Sequence, residues 1–253
     1  MPDTAVPDST GPDSSGSAHS AGPAHPARPA AALPAAVLFD MDGTLVDTEQ
    51  LWWRTAAELA EELRHPLTDR DAPEVLGQAV EHTAAHLRRV SGTALGEAEL
   101  AARLGESFAA KVAAETVPRP GALALLAALR DARVPTALVS ASPRRVVDLV
   151  LSAIGRDWFA VTLAAEDTER TKPAPDPYLA AAQRLGLDPA VCLAVEDTPT
   201  GVASATAAGC AVLAVPSTAV PMPRGERITL LASLELADLA LLGKLAAAGA
   251  VRP

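Results

Sequence analysis

Asp40 and Asp42 stand two residues apart in the stretch AAVLFDMDGTLVDTE (35–49), directly after an apolar run, and Asp47 and Glu49 follow at once. A second acidic pair, Glu196–Asp197, follows another apolar run, VCLAV. Carboxylates crowded at the ends of buried segments repel one another, and a divalent cation together with a phosphate group relieves that repulsion. Mg²⁺ takes oxygen ligands, typically one or two carboxylates completed by water and phosphate oxygens. The remaining parts of phosphoryl transfer are a carboxylate that attacks phosphorus, donors to the phosphate oxygens and a fixed positive charge. Asp40 is the candidate nucleophile. The donors are the hydroxyls of Thr44 and Ser140 and the turn amides from Asp42 through Gly43 to Thr44, and the charge is Lys172. Lysine is scarce in this chain: Lys111, Lys172 and Lys244 are the only three among 21 basic residues. A lysine inside a motif is therefore informative.

These residues lie far apart in sequence, so the secondary structure must bring them together. Five apolar runs, at 35–39, 136–140, 160–164, 191–195 and 211–215, are continuous rather than alternating, as in strands covered on both faces. Helical patterns separate the last four. One ends at Gly155 as a C-cap, one has Asp176 as its N-cap and Pro177 at its first helical position, and one follows the fourth strand with Thr198 or Asp197 as cap. Alternation of this kind predicts an α/β fold, a doubly wound parallel sheet with a Rossmann-like core. The first strand breaks the rhythm. Between it and the second the sequence reads as three helices: EQLWWRTAAELAEELR, capped by Asp47 or Thr48; APEVLGQAVEHTAAHLRRVSG, capped by Thr68 and ended by Gly92; and LGEAELAARLGESFAAKVAAE. This is an inserted all-helical cap, with TVPRPG (116–121) as the return linker. Residues 1–34, rich in Pro, Ser, Ala, Gly and Asp, read as a disordered tail. The predicted organisation is a tail at 1–34, a core at 35–50 and 118–243, a cap at 51–117 and a C-terminal tail at 244–253.

In a doubly wound sheet, ligands bind beyond the carboxyl ends of the strands. Asp40 and Asp42 follow the first strand and Ser140, Ala141 and Ser142 the second. Thr171-Lys172-Pro173 lies in the loop after the third, and Glu196-Asp197 follows the fourth. The motifs DMDGTLVDTE (40–49), SAS (140–142), KPAPDPYL (172–179) and EDTPTGV (196–202), in this order and spacing, resemble the haloacid dehalogenase superfamily, specifically its helical-cap, β-phosphoglucomutase-like phosphatases. The resemblance runs from Ala35 to about Ala214. It implies a Mg²⁺-dependent phosphoric monoester hydrolase working through an aspartyl-phosphate on Asp40. The metal ligands would be Asp40, Asp197, Glu196 directly or through water, and Asp42 by its backbone carbonyl. Gly43, Thr44, Ser140, Ala141 and Lys172 would hold the phosphate. Asp42, which must start protonated, would protonate the leaving oxygen and then activate water. The dehalogenating branch lacks an Asp at this position, so Asp42 favours phosphoryl transfer. The related sugar phosphomutases carry a His soon after the first motif and an Arg three residues after a cap Gly. Here those places hold Trp52 and Val80, which weakens the mutase alternative. From a different class, a phospho-acceptor receiver domain uses a similar residue set, but its acid pair precedes the Asp and it has no helical insertion.

The composition narrows the partners. The 253-residue chain is 49% apolar, enough for a large core, and its formal net charge of −10 opposes nucleic acid or an anionic membrane as main partner. A small phosphorylated metabolite is the expected partner, and oligomeric state is left open. No apolar run approaches membrane-helix length and no signal peptide is visible. The two cysteines, Cys192 and Cys210, lie in apolar runs without a zinc pattern, as buried reduced thiols of a cytoplasmic protein do. In the cap, HTAAH spaces His82 and His86 one helical turn apart, without the Glu or third ligand of a zinc site. With Gln78 they form either a face that closes on the substrate or a solvated or packing stripe. Trp52 and Trp53 read as hinge and cap packing, with one of them a pocket wall. Trp52, Gln78 and His82 are thus the candidate substrate contacts in the cap.

Overall fold

Six short strands form one fully parallel sheet in the order β3-β2-β1-β4-β5-β6. They are β1 (Ala36–Phe39), β2 (Thr136–Val139), β3 (Val161–Leu163), β4 (Cys192–Glu196), β5 (Ala211–Ala214) and β6 (Ile228–Leu230). This computed structural model describes residues 33–250. The tail expected at 1–34 therefore lies outside the described residues except for Leu33, which packs on the core, and Pro34. The predicted doubly wound α/β sheet is present, and its apolar runs are continuous for the expected reason. In β1, Val37 and Phe39 enter one hydrophobic cluster while Ala36 and Leu38 enter the cluster on the opposite face. The first face is covered by α5 (Ala122–Asp131), α6 (Arg144–Ile154) and α9 (Leu239–Ala250), the second by α7 (Asp176–Arg184) and α8 (Pro199–Ala207). Strand order reverses at β1, which has β2 on one side and β4 on the other. The crevice at the carboxyl ends of β1 and β4 is the topological switch point where such sheets bind ligands.

Four further helices are inserted between β1 and β2: α1 (Glu49–Glu62), α2 (Ala72–Val75), α3 (Val80–Ser91) and α4 (Glu97–Glu115). They enclose a separate cluster that includes Trp52, Leu59, Val75, Leu87, Leu100 and Leu104, and so form the cap. The outgoing and returning linkers pair with each other. Val46 bridges Pro118 in antiparallel fashion, and the Arg119 amide donates to the Leu45 carbonyl at 2.8 Å.

The structure corrects several expectations. The single helix read from Ala72 to Ser91 is broken. Leu76 is extended and Gly77 sits at φ 69°, a conformation glycine adopts without Cβ strain, and this separates α2 from α3. Gly92 does end α3, at φ 64°. α5 and β6 were not anticipated. α5 is almost uniformly Ala and Leu and shows little periodicity, while β6 is a three-residue edge strand without an apolar run. The C-terminal tail expected from 244 is not a tail at its start. α9 continues through that position, because Leu242 is fully buried against the core and Leu245 packs on it. Among the described residues, no helix is long and apolar enough to cross a membrane.

Candidate active site

Asp40 leaves the end of β1 with its amide donating to the Val195 carbonyl of β4 (2.9 Å), so backbone pairing delivers its side chain to the crevice. Lys172 Nζ donates to Asp40 Oδ1 at 2.6 Å, to Glu196 Oε1 at 2.7 Å and to the Val139 carbonyl at 2.9 Å. Tyr178 on α7 donates its hydroxyl to the same Glu196 oxygen at 2.8 Å, and its ring lies 5.2 Å from Lys172 Nζ. The other Glu196 oxygen accepts from the amides of Asp197 (3.1 Å) and Thr198 (3.3 Å). Thr198 then caps α8, accepting from the Gly201 amide at 3.0 Å. The Glu196 carboxylate lies directly on Gly201: a Cβ there would stand 1.8 Å from Oε1. Gly43 is required for a similar reason. At φ 82°, it offers a Cβ position only 2.0 Å from Asp197 Oδ2.

Asp197 accepts from Thr44 Oγ1 at 3.2 Å on one oxygen and from the Ser217 hydroxyl on the other. Asp40 Oδ2 is buried and, among the described residues, has no hydrogen-bond partner. Asp40, Glu196 and Asp197 each place one carboxylate oxygen within 4.8 Å of the others. A buried, orphaned carboxylate oxygen in an all-oxygen cluster is the donor set a hard divalent cation takes, so these residues fit one. Asp42 is set apart. Its Oδ1 accepts from Thr48 Oγ1 (2.6 Å) and its Oδ2 from Ser140 (3.0 Å) and Ser142 (2.8 Å). The hydroxyl of Thr48, at the start of α1, makes no cap hydrogen bond and is spent on Asp42 instead.

The electrostatics follow from burial. Desolvation drives the Asp40 carboxyl well above the usual range; Lys172 opposes this, while Glu196 and Asp197 add to it. Asp197 is pushed up to about 7, first by burial and then by the Glu196 charge. Burial works against the Lys172 ammonium, but Asp40 and Glu196 outweigh it and hold its proton above the usual lysine range.

A cavity of about 460 Å³ adjoins this cluster. Its walls are the start of α1, the 69–76 segment of the cap and the core loops carrying Arg119 and Ser217. Ser217 touches both the cavity and Asp197.

The structure thus brings together Asp40, Lys172, Glu196 and Asp197, with Thr44 beside Asp197 and Ser140 beside Asp42; Ala141 is exposed between Ser140 and Ser142. The three cap contacts lie elsewhere. Trp52 is buried in cap packing: its indole N–H donates to the Val75 carbonyl at 2.8 Å, and its ring meets Phe108 edge-on at 5.2 Å. Its neighbour Trp53 is the cavity wall. Gln78 sits in the loop after Gly77 and donates to the Pro73 carbonyl (3.0 Å). His82 bonds Glu74 (2.8 Å), and neither residue lines the cavity. His86 is committed to Asp71 at 2.9 Å. Cys192 and Cys210 are both free and buried. Thr48, Ser142, Tyr178, Gly201 and Ser217 were not assigned site roles from sequence. All but Ser217 lie inside the quoted motifs. Ser217 follows the carboxyl end of β5, and position alone could have marked it.

Comparison with known proteins agrees with this geometry. The family model described as haloacid dehalogenase-like hydrolase matches residues 34–209. Hexitol phosphatase A of Escherichia coli (strain K12) is 37% identical over 204 residues, covering 78% of this chain and 90% of the relative. The plasmid-borne protein CbbY of Cupriavidus necator is 33% identical over 212 residues, covering 72% of this chain and 78% of that protein. Among solved structures, CbbY from Rhodobacter sphaeroides in complex with phosphate superposes with a TM-score of 0.70 at 27% identity, covering 81% of this chain and 96% of that one.

Proposed function

Since this chain belongs to the haloacid dehalogenase-like hydrolases and is a phosphoric monoester hydrolase, we propose that it is a Mg²⁺-dependent cytoplasmic phosphatase of small phosphorylated sugars or sugar alcohols, acting through an aspartyl-phosphate on Asp40. The observation that carries this reading is the convergence of Lys172, Glu196 and Asp197 on Asp40, whose Oδ2 is buried without a partner. Asp40 and Asp197 would hold the cation, with the Asp42 carbonyl, and Glu196 completes the charge of the site. When bound, Mg²⁺ offsets the repulsion between an anionic carboxylate and a phosphate dianion.

Lys172 pins one Asp40 oxygen and leaves the carboxylate oriented for attack on phosphorus. The new bond forms between an Asp40 oxygen and phosphorus as the bond from phosphorus to the substrate oxygen breaks. That oxygen takes the proton of Asp42. Water then attacks the aspartyl-phosphate, gives its proton to Asp42, and inorganic phosphate leaves with Asp40 restored. The three hydroxyls on Asp42 keep its carboxyl aimed in both half-reactions, since a hydroxyl can donate to the ionised acid and accept from the neutral one. The sugar portion is supported by the likeness to hexitol phosphatase A. The receiver-domain alternative falls with family membership.

Continuous release of inorganic phosphate from p-nitrophenyl phosphate and from hexose and hexitol monophosphates, dependent on Mg²⁺ and abolished by a chelator, is the expected result. No turnover across that panel with Mg²⁺ present would overturn the reading. Asp42→Asn should slow cleavage far more for a sugar phosphate, whose alkoxide leaves poorly, than for p-nitrophenyl phosphate. Equal losses on both would remove the general-acid role from Asp42.

The cation should also show in a pH-dependent melt. The Asp197 pKa rises from 3.8 to about 7 on folding, so between those values the folded, metal-free protein binds more protons than the unfolded chain. Metal-free stability from this group is thus present at low pH and lost as pH rises towards 7. A cation needs the carboxylate ionised, so its binding strengthens over the same range. Mg²⁺ should raise Tm more at pH 8 than at pH 5; an equal shift at both would argue against Asp197 as a ligand.

A further inference from the structure

We propose that the cavity beside the catalytic cluster selects an uncharged, polyhydroxylated leaving group and excludes a leaving group that carries a second negative charge. This rests on the phosphatase reading and adds the charge class of the substrate. The cavity adjoins the carboxylate cluster through Ser217, so a phosphoryl group at Asp40 directs the remainder of the substrate into it.

Its lining sets the charge. Asp47 and Glu49 enter from the start of α1 and Asp69 from the turn before α2. Among the described residues, none of these three carboxylates has an ion-pair or side-chain hydrogen-bond partner. Two arginines share the wall. Arg54 is committed to Glu115 through two hydrogen bonds of 2.7 and 3.3 Å. Arg119 makes no ion pair with Glu49, but its charge acts on that carboxylate from the returning linker. With one acid balanced by Arg119, an excess of negative charge still faces the ligand. Carboxylates without protein partners accept hydrogen bonds from sugar hydroxyls, and the half-buried face of Trp53 offers an apolar surface to C–H groups. A second anionic group would meet like charge in a space partly screened from solvent.

The test compares two substrates with the same carbon skeleton and the same scissile ester. One is a hexitol monophosphate and the other is the matching aldonic acid phosphate, in which a carboxylate replaces the terminal hydroxymethyl. The expected result is a kcat/KM at least roughly tenfold higher for the hexitol ester. In Asp69→Asn, an exposed turn position that should not disturb folding, and in Glu49→Gln, the ratio should narrow through faster cleavage of the aldonate ester. Equal or better cleavage of the aldonate ester by the unaltered enzyme, or a ratio unmoved in both variants, overturns the proposal. p-Nitrophenyl phosphate with Mg²⁺ separates the two levels. Without turnover there, the phosphatase reading itself fails. Turnover there with no charge preference refutes the selectivity alone.

Discussion

Asp40→Asn should lower turnover by about 10⁴-fold or more, the scale expected when a covalent nucleophile is removed. An amide oxygen can still accept the Lys172 hydrogen bond, but it cannot form the acyl phosphate. The fold should persist. Asp40 contributes negative charge to a buried cluster with Glu196 and Asp197, and desolvation already opposes its ionisation. Removing that charge relieves repulsion while leaving Lys172 paired with Glu196 at 2.7 Å. The metal-free variant should therefore melt at or above the unaltered protein's temperature, the usual consequence of neutralising a functional charge held against its own cost. Mg²⁺ should stabilise the variant less. Phosphate-release kinetics and thermal melts with and without Mg²⁺ measure all three effects. A variant that keeps turnover within tenfold of the unaltered enzyme would end Asp40's assignment as nucleophile.

Gly201→Ala is expected to damage both stability and activity without replacing a charged group. The added methyl would stand 1.8 Å from Glu196 Oε1 and 2.0 Å from Oε2, far inside van der Waals contact. Glu196 has nowhere to retreat. It is fully buried and holds Lys172, Tyr178 and the amides of Asp197 and Thr198 at once. Accommodating the methyl means moving the start of α8 or breaking that network. Overpacking of this kind, together with disruption of a buried ion pair, costs about 3 kcal/mol. Lys172 would then lose one of its two anionic partners, and turnover should fall by about 100-fold or more. Gly105→Ala is the matched control. It sits within α4 with nothing within 4 Å of the new Cβ, so it should be neutral or stabilise by up to about 1 kcal/mol. Chemical denaturation and phosphate release measured on both variants settle the point. If Gly201→Ala melts like the control and retains full activity, Glu196 does not depend on this close approach.

The alternation of buried runs and amphipathic stretches, the break for a helical insertion and the acids at strand ends were all legible from local sequence. Each depends on interactions within a few residues: a strand covered on both faces must be continuously apolar, and a Gly or Thr at a helix end marks a cap. Lys172 stood out because lysine is rare in this chain. What tertiary structure decided was the phase of the helices and the choice among partners. Trp52 and Trp53 are adjacent and chemically identical, and only the rotation of α1 against α2 and α4 buries the first in the cap and turns the second to the cavity. Thr48 sits where a cap is expected, yet its hydroxyl serves Asp42 because the β1 loop passes within 2.6 Å of it. The 72–91 segment carries one periodicity, and only backbone geometry at Leu76 and Gly77 shows where it divides. Ser217 reaches Asp197 from the loop after the neighbouring strand, and the close approach of Gly201 to Glu196 depends on how α8 folds back over the end of β4. Residue type and order determined which chemistry was available. The packing of cap against core determined which side chains line the cavity, because orientation about a helix axis is set by contacts between elements distant in sequence.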